Sequence, residues 1–156
     1  MIVTVLIDIP NFLWKGIAVP LINWSDEYTL KIPEMDKEHK ELSRIINCLH
    51  ESMLTNRNCE VVNKIADELI SFTGKHFFDQ EKMMLSDAFP EANFHKASYD
   101  KLLRQLKELL KDICTDVKRD IKKTASLDDW FVDHLLVEDK KYGLYKIKSG
   151  TNTGGT

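Results

Sequence analysis

The chain has 156 residues, enough for one domain that buries a single sizeable core without disulfides or other staples. Charged residues make up 30% of it and the formal net charge is -3, so a nucleic-acid partner is excluded because a basic excess is missing. Three cysteines, Cys48, Cys59 and Cys114, form an odd count without C-x-x-C spacing. This usage predicts free thiols in a reducing cytoplasm instead of a secreted disulfide framework.

Residues 1–22 are the most apolar stretch of the chain. Charged and helix-breaking residues interrupt it, among them Asp8, Pro10, Lys15 and Pro20, and they argue against a membrane span. The stretch also does not match a secretory signal, which needs a basic start and a small-residue cleavage site. We predict a non-helical arm over 1–23 that lays apolar side chains against the domain, with association at a membrane surface as the alternative.

The next part of the chain has the pattern of two long helices. Apolar residues recur at spacings of three and four, which is the period of one buried helix face. The pattern predicts a first helix over 34–55. A second helix starts after Asn58, a good N-cap residue, and continues to about residue 86.

Two further helices are predicted after the break at Pro90. The third carries a leucine-rich stripe from His95 to Val117. The fourth begins at Ser126, with Asp129 as the acid of a capping box, and ends near Gly143. Short connections between four helices predict an all-α, antiparallel up-down-up-down four-helix bundle over 24–143, followed by a mobile tail over 144–156.

Four of the five histidines fall one per predicted helix: His39, His76, His95 and His134. A single histidine on an apolar stripe is usually a hydrogen-bonded core residue. Four imidazoles facing one core need a shared partner for their lone pairs, and a transition metal supplies it. His50 is placed apart, because eleven residues of helix carry it about 16 Å along the axis from His39.

Four segments in order, "NWSDEYTLKIPEMDKEHKEL", "HFFDQEKMM", "FPEANFHKASY" and "WFVDHLLVED", resemble the signature segments of the hemerythrin family, in particular its bacterial members. The resemblance covers about 24–140. It implies a four-helix bundle with a non-heme di-iron centre that binds O₂, with three histidines on one iron, two on the other, and bridging glutamate and aspartate. Matched to this chain, it implies His39 and His76 on the two-histidine iron, His95 and His134 on the other, and Asp139 as the bridging aspartate.

Two positions depart from the family pattern. Gln80 stands where the family has the bridging glutamate, and Tyr99 stands where it has a third histidine. Gln is neutral and bridges metals poorly, whereas Tyr99 would be a ligand if it ionised beside ferric iron. On ideal helix geometry Glu138 is better phased with His134 than Asp139 is, so Glu138 is a reserve ligand unless the last turn is loosened.

The resemblance therefore implies iron, with two ions per chain expected, and one or none possible with Gln80 and Tyr99 in place. The expected function is binding of O₂ or a related small diatomic for storage, delivery or sensing. The alternatives are an altered or mononuclear iron site with peroxide, O₂ or NO redox activity, or a metal-free structural relic. Asp36 is a candidate acceptor for an imidazole N–H. The chain is expected to be cytoplasmic, and a monomer or small homo-oligomer.

Overall fold

The computed structural model describes residues 19–55 and 58–151. A short 3-10 turn at Asp26–Tyr28 leads into α1 (Pro33–Thr55) and α2 (Cys59–Ser86). The chain continues through α3 (Ala92–Leu110), α4 (Val117–Ala125) and α5 (Leu127–Asp133), a π-helix at His134–Asp139, and α6 (Lys140–Thr151). The predicted all-α four-helix bundle is confirmed, with α5, the π-helix and α6 running on as its fourth helix.

The predicted arm lies mostly outside the described residues, because its structure is described only from Val19 onward. Residues 19–23 are non-helical, and Ile22 is buried against the bundle. Asn47 of α1 holds this residue at both backbone groups: the Ile22 N–H donates to its Oδ1 at 2.7 Å, and its Nδ2 donates to the Ile22 carbonyl at 2.9 Å. The Asn47 side chain thus supplies the hydrogen-bond partners that the non-helical backbone of Ile22 would otherwise lack.

The first two helices agree with their predicted ranges. Asn58 caps α2 as expected, since its side chain accepts hydrogen bonds from the backbone N–H groups of Glu60 and Val61. Within the described part of the chain, no helix is long and apolar enough to cross a membrane.

The third helix ends earlier than predicted. It stops at Leu110, and the following connection places Asp112 and Cys114 at φ values of 54° and 76°. A left-handed residue cannot continue a right-handed helix. Val117 instead begins α4, where the Asp116 side chain accepts a hydrogen bond from the N–H of Arg119.

The fourth helix begins as predicted, since α5 starts at Leu127 with Ser126 at its N-cap position, but its predicted capping box and its predicted end are wrong. Ser126 has helical backbone angles and its hydroxyl donates to the Lys123 carbonyl at 2.7 Å, so no capping box forms. The helix continues past Gly143 to Thr151, and residues 144–151 are helical instead of a tail; residues 152–156 lie outside the described part. Gly143 does not end the helix. It lies where the helix backbone passes close to Leu30, because a Cβ at this position would be 2.9 Å from the Leu30 carbonyl oxygen.

The prediction of free thiols is wrong for two of the three cysteines. Cys59 at the start of α2 and Cys114 in the α3–α4 connection form a disulfide, with a Cα–Cα distance of 5.6 Å. Cys48 is free and buried. Cysteine usage therefore no longer supports a reducing compartment.

The core consists of two apolar clusters, and the predicted site residues lie where they meet. On α1, His39 lies between Met35 of one cluster and Leu42 of the other. On the fourth helix, Asp139 lies between Leu135 and Tyr142 in the same way. The fold thus surrounds one polar layer with apolar side chains on both sides.

Candidate metal centre

Every residue predicted for the metal site lies in the polar layer between the two clusters. Each of these side chains is almost completely buried, with at most 4% of its residue surface exposed. They come from all four long helices of the bundle: His39 from α1, His76 and Gln80 from α2, His95 and Tyr99 from α3, and His134 and Asp139 from the π-helix.

Three of these side chains meet at one point. The Nε2 atoms of His39 and His76 are 3.0 Å apart, and Oδ2 of Asp139 is 3.0 Å from Nε2 of His39. One potential ligand atom from each of the three residues lies within 4.8 Å of the other two. Two imidazole nitrogens and one carboxylate oxygen at this spacing can bind a single metal ion.

The π-helix explains why Asp139, and not Glu138, faces this point. A π turn hydrogen-bonds five residues apart, so it brings residues at that spacing to one helix face. Oδ2 of Asp139 consequently lies 3.0 Å from Nε2 of His134, the first residue of the π-helix. The Glu138 carboxylate instead is partly exposed and lies 3.4 Å from Nζ of Lys141, which removes it as the reserve ligand.

Glu38 is a functional candidate that the sequence reasoning missed. Its Oε2 lies 2.8 Å from Nδ1 of His76, so it fixes the ring with Nε2 directed at the site. Asp36, the predicted imidazole acceptor, instead accepts a hydrogen bond from the Leu30 N–H at 2.7 Å. The spacing of residues in the sequence does not show which of Glu38 and Asp36 contacts the imidazole, because this contact depends on how α1 packs against α2.

The pKa values of His76 and Asp139 are shifted towards the charge states that metal binding requires. Burial lowers the pKa of His76 to about 4 despite its bond to Glu38, so the ring is neutral near pH 7. Burial alone would raise the pKa of Asp139, but the facing His134 and His39 outweigh it and hold the pKa well below its usual value. A neutral imidazole and an ionised carboxylate are the forms that bind a cation.

Tyr99 contacts the carboxylate of Asp139. Its hydroxyl donates to Oδ1 of Asp139 at 3.2 Å and lies 3.4 Å from Nδ1 of His95. The ring stacks on Phe77 with centroids 4.5 Å apart. Burial, and next the nearby Asp139, raise the pKa of Tyr99 far above its usual value, so in this arrangement it is a neutral hydrogen-bond donor.

His50 lies apart from the site, as its spacing predicted. Its Nδ1 is 2.9 Å from the hydroxyl of Thr124 on α4, so the ring has a structural partner.

Unpartnered polar atoms are concentrated in this layer. Buried polar groups normally have hydrogen-bond partners. Among the described residues, buried side-chain atoms without one include both amide atoms of Gln80 and Nε2 of His95. The Gln80 oxygen and the His95 ring nitrogen offer lone pairs that a bound cation would satisfy, whereas the Gln80 NH₂ group is a hydrogen-bond donor.

Comparison with known proteins also identifies a cation binding domain in this chain. The family model for the hemerythrin HHE cation binding domain matches residues 30–143, which include every residue of the layer. The chain belongs to the hemerythrin family. Among relatives of this hemerythrin-family chain is the bacteriohemerythrin of Methylococcus capsulatus, 30% identical over 127 residues that span 79% of this chain and 95% of that protein.

Two further comparisons extend the likeness within the hemerythrin family. Myohemerythrin of Theromyzon tessulatum is 28% identical over 119 residues, covering 76% of this chain and 88% of that protein. A crystal structure of wild-type hemerythrin superposes with a TM-score of 0.70 at 28% identity, covering 80% of this chain and 96% of that chain. The helical bundle is therefore that of the hemerythrin family.

Proposed function

We propose that this chain is a non-heme iron protein that binds O₂ or a related small diatomic in its bundle core. The observation that carries this proposal is the meeting of His39, His76 and Asp139 at one buried point. Two histidines and one carboxylate are the donor set typical of non-heme ferrous sites with open positions. Names of relatives support the same function, since they include bacteriohemerythrin and myohemerythrin.

Different residues of the chain would have different roles in such a site. His39, His76 and Asp139 would hold iron, and the carboxylate of Glu38 keeps His76 in the required orientation. The Phe77 ring, whose centroid is 5.0 Å from the centroid of the His134 ring, helps to exclude water from the layer. Bound ferrous iron would supply open coordination positions and the electron density that a diatomic ligand takes up.

A second candidate function is redox turnover of peroxide, O₂ or NO at the same iron. Two observations favour it: Gln80 brings no charge to the site, and the Tyr99 hydroxyl donates a hydrogen bond to Oδ1 of Asp139. Both features differ from the carboxylate and histidine that the family pattern has there. Stable adduct formation distinguishes binding from turnover, which consumes the added ligand.

The experiment is metal analysis of anaerobically purified protein, followed by visible spectra during addition and removal of O₂ and then NO. We expect bound iron and a reversible spectral change with at least one of the two gases. His76→Ala should lose the iron, whereas His50→Ala, a histidine outside the layer, should retain it. Iron-free protein that stays iron-free after anaerobic addition of Fe(II) would refute the proposal.

A cytoplasmic location and a monomer or small homo-oligomer stay predictions made from the sequence. Size-exclusion chromatography with light scattering tests the second.

A further inference from the structure

We propose that this chain holds one iron, bound by His39, His76 and Asp139, where the hemerythrin pattern implies two. In this arrangement Tyr99 is a hydrogen-bond donor that fixes Asp139 for the single ion and is not itself a ligand. The inference rests on the proposed function, because it concerns the number of ions in the same site.

The two sides of the polar layer differ in how their donors are placed. On one side, Nε2 of His39 and Nε2 of His76 face each other at 3.0 Å, beside Oδ2 of Asp139. On the other side, His95 has Nδ1 at 3.4 Å from the Tyr99 hydroxyl and an unpartnered Nε2. Only the first side brings a complete two-histidine, one-carboxylate set to one point.

The oxygens of Asp139 show the same asymmetry. A carboxylate that bridges two ions commonly gives one oxygen to each. Here Oδ2 lies 3.0 Å from Nε2 of His39 and also 3.0 Å from Nε2 of His134, whereas Oδ1 accepts a hydrogen bond from the Tyr99 hydroxyl at 3.2 Å. An oxygen that accepts this hydrogen bond has a donor where a second ion would need to bind. Tyr99 therefore fixes Asp139 as a ligand to one ion.

Charge gives an independent reason for a single ion. Asp139 is the one fully buried carboxylate of the layer in the described part of the chain, and Glu38 adds a second negative charge through His76. One divalent ion is balanced by this pair. A second ion would add two positive charges without another fully buried carboxylate, since Gln80 is an amide at the position of the family glutamate and Glu138 is partly exposed beside Lys141. Uncompensated charge in a buried layer is strongly unfavourable.

Three single variants test on which side of the layer the ion binds. His76→Ala removes a donor of the proposed set and should reduce bound metal to near zero. His95→Ala removes a donor of the opposite side and should leave one ion per chain. Tyr99→Phe should also leave one ion, because the hydroxyl is a positioning group.

The test counts ions and does not depend on gas binding. Each full-length protein is loaded anaerobically with Fe(II), freed of excess metal and analysed for metal per chain, with circular dichroism to verify folding. A parallel Co(II) titration followed by visible absorption gives the end point independently. We expect one equivalent for the native chain and two for the double variant Gln80→Glu, Tyr99→His.

Each outcome has a distinct meaning. Two ions in the native chain would overturn the single-ion inference and leave the proposed iron function intact. An ion retained in His76→Ala but lost in His95→Ala would overturn it as well. A folded double variant that still binds one ion would refute the roles given to Gln80 and Tyr99. A native chain that binds neither metal would refute the proposed function itself.

Discussion

Glu38→Gln is the substitution that examines the metal centre most selectively, because it changes one charge and almost no volume. The Glu38 carboxylate accepts a hydrogen bond from Nδ1 of His76 at 2.8 Å and leaves Nε2 free to face the site. A glutamine can still accept this bond through its carbonyl oxygen, but without the charge. It can also present its NH₂ group, which would oppose the imidazole N–H and turn the ring.

The magnitude follows from the kind of hydrogen bond that is lost. A bond to a charged group contributes roughly 1.5–3 kcal/mol and a neutral one roughly 0.5–1.5 kcal/mol. The difference of about 1–2 kcal/mol corresponds to an affinity for Fe(II) that is about 5–30-fold weaker, since 1.4 kcal/mol is tenfold. Outer partners of metal-bound histidines typically change affinity by about 10–100-fold, which agrees.

The assay is a competitive Fe(II) titration under anaerobic conditions against a chelator of known affinity. Glu34→Gln is the matched control, because Glu34 lies on the same helix and is exposed. We expect the control to match the native chain. An affinity for Glu38→Gln within twofold of the native value, or an equal loss in the control, would refute the role given to Glu38.

Three further predictions concern stability. Replacing both Cys59 and Cys114 with serine opens a loop of 55 residues, which should lower the free energy of unfolding in urea by about 4 kcal/mol without loss of bound metal; an unchanged urea midpoint would contradict the disulfide. In the metal-free protein, His76 binds a proton more readily unfolded than folded, because its folded pKa is lowered to about 4, so stability should fall as the pH drops from about 6.5 towards 4. The loss at pH 5 is about 2 kcal/mol, and a His76→Gln variant should show a correspondingly flatter urea series, whereas parallel pH curves would argue against a buried neutral ring. Gly143→Ala should destabilise by about 1–3 kcal/mol because its Cβ would be 2.9 Å from a backbone oxygen, whereas Gly74→Ala, with ordinary contact at 3.7 Å, should not destabilise; equal thermal midpoints for the two would refute the close approach.

The helices that the sequence predicts best are those with local signals at their ends. Asn58 marks the start of α2 because its side chain caps that helix directly, and the spacing of apolar residues marks the buried face of α1. The end of α3 was wrong for the opposite reason. The apolar period continues through Ile113, which is buried, although the backbone has already left the helix at Leu110. A buried residue in a turn and one in a helix give the same pattern.

The site was predictable as far as it depends on helix faces. His39 and His76 lie on apolar stripes, and both are fully buried in one layer. The sequence did not predict the features that depend on departures from ideal helices or on contacts between helices. Asp139 faces the layer because the last turn is a π-helix, and Glu38 is chosen over Asp36 by the packing of α1 on α2.

The disulfide shows the same limit. Cys59 and Cys114 are 55 residues apart, and only the folded chain brings them together. Cys114 lies in a left-handed turn, which no spacing of cysteines in the sequence indicates.

We propose that side chains from α1, α2 and the π-helix bind iron at one buried point. A crystal structure of iron-loaded protein, with data collected at the iron absorption edge, measures this directly. We expect one anomalous peak within bonding distance of Nε2 of His39, Nε2 of His76 and Oδ2 of Asp139. Iron found only elsewhere, or these three side chains turned away from one another, would contradict this iron site.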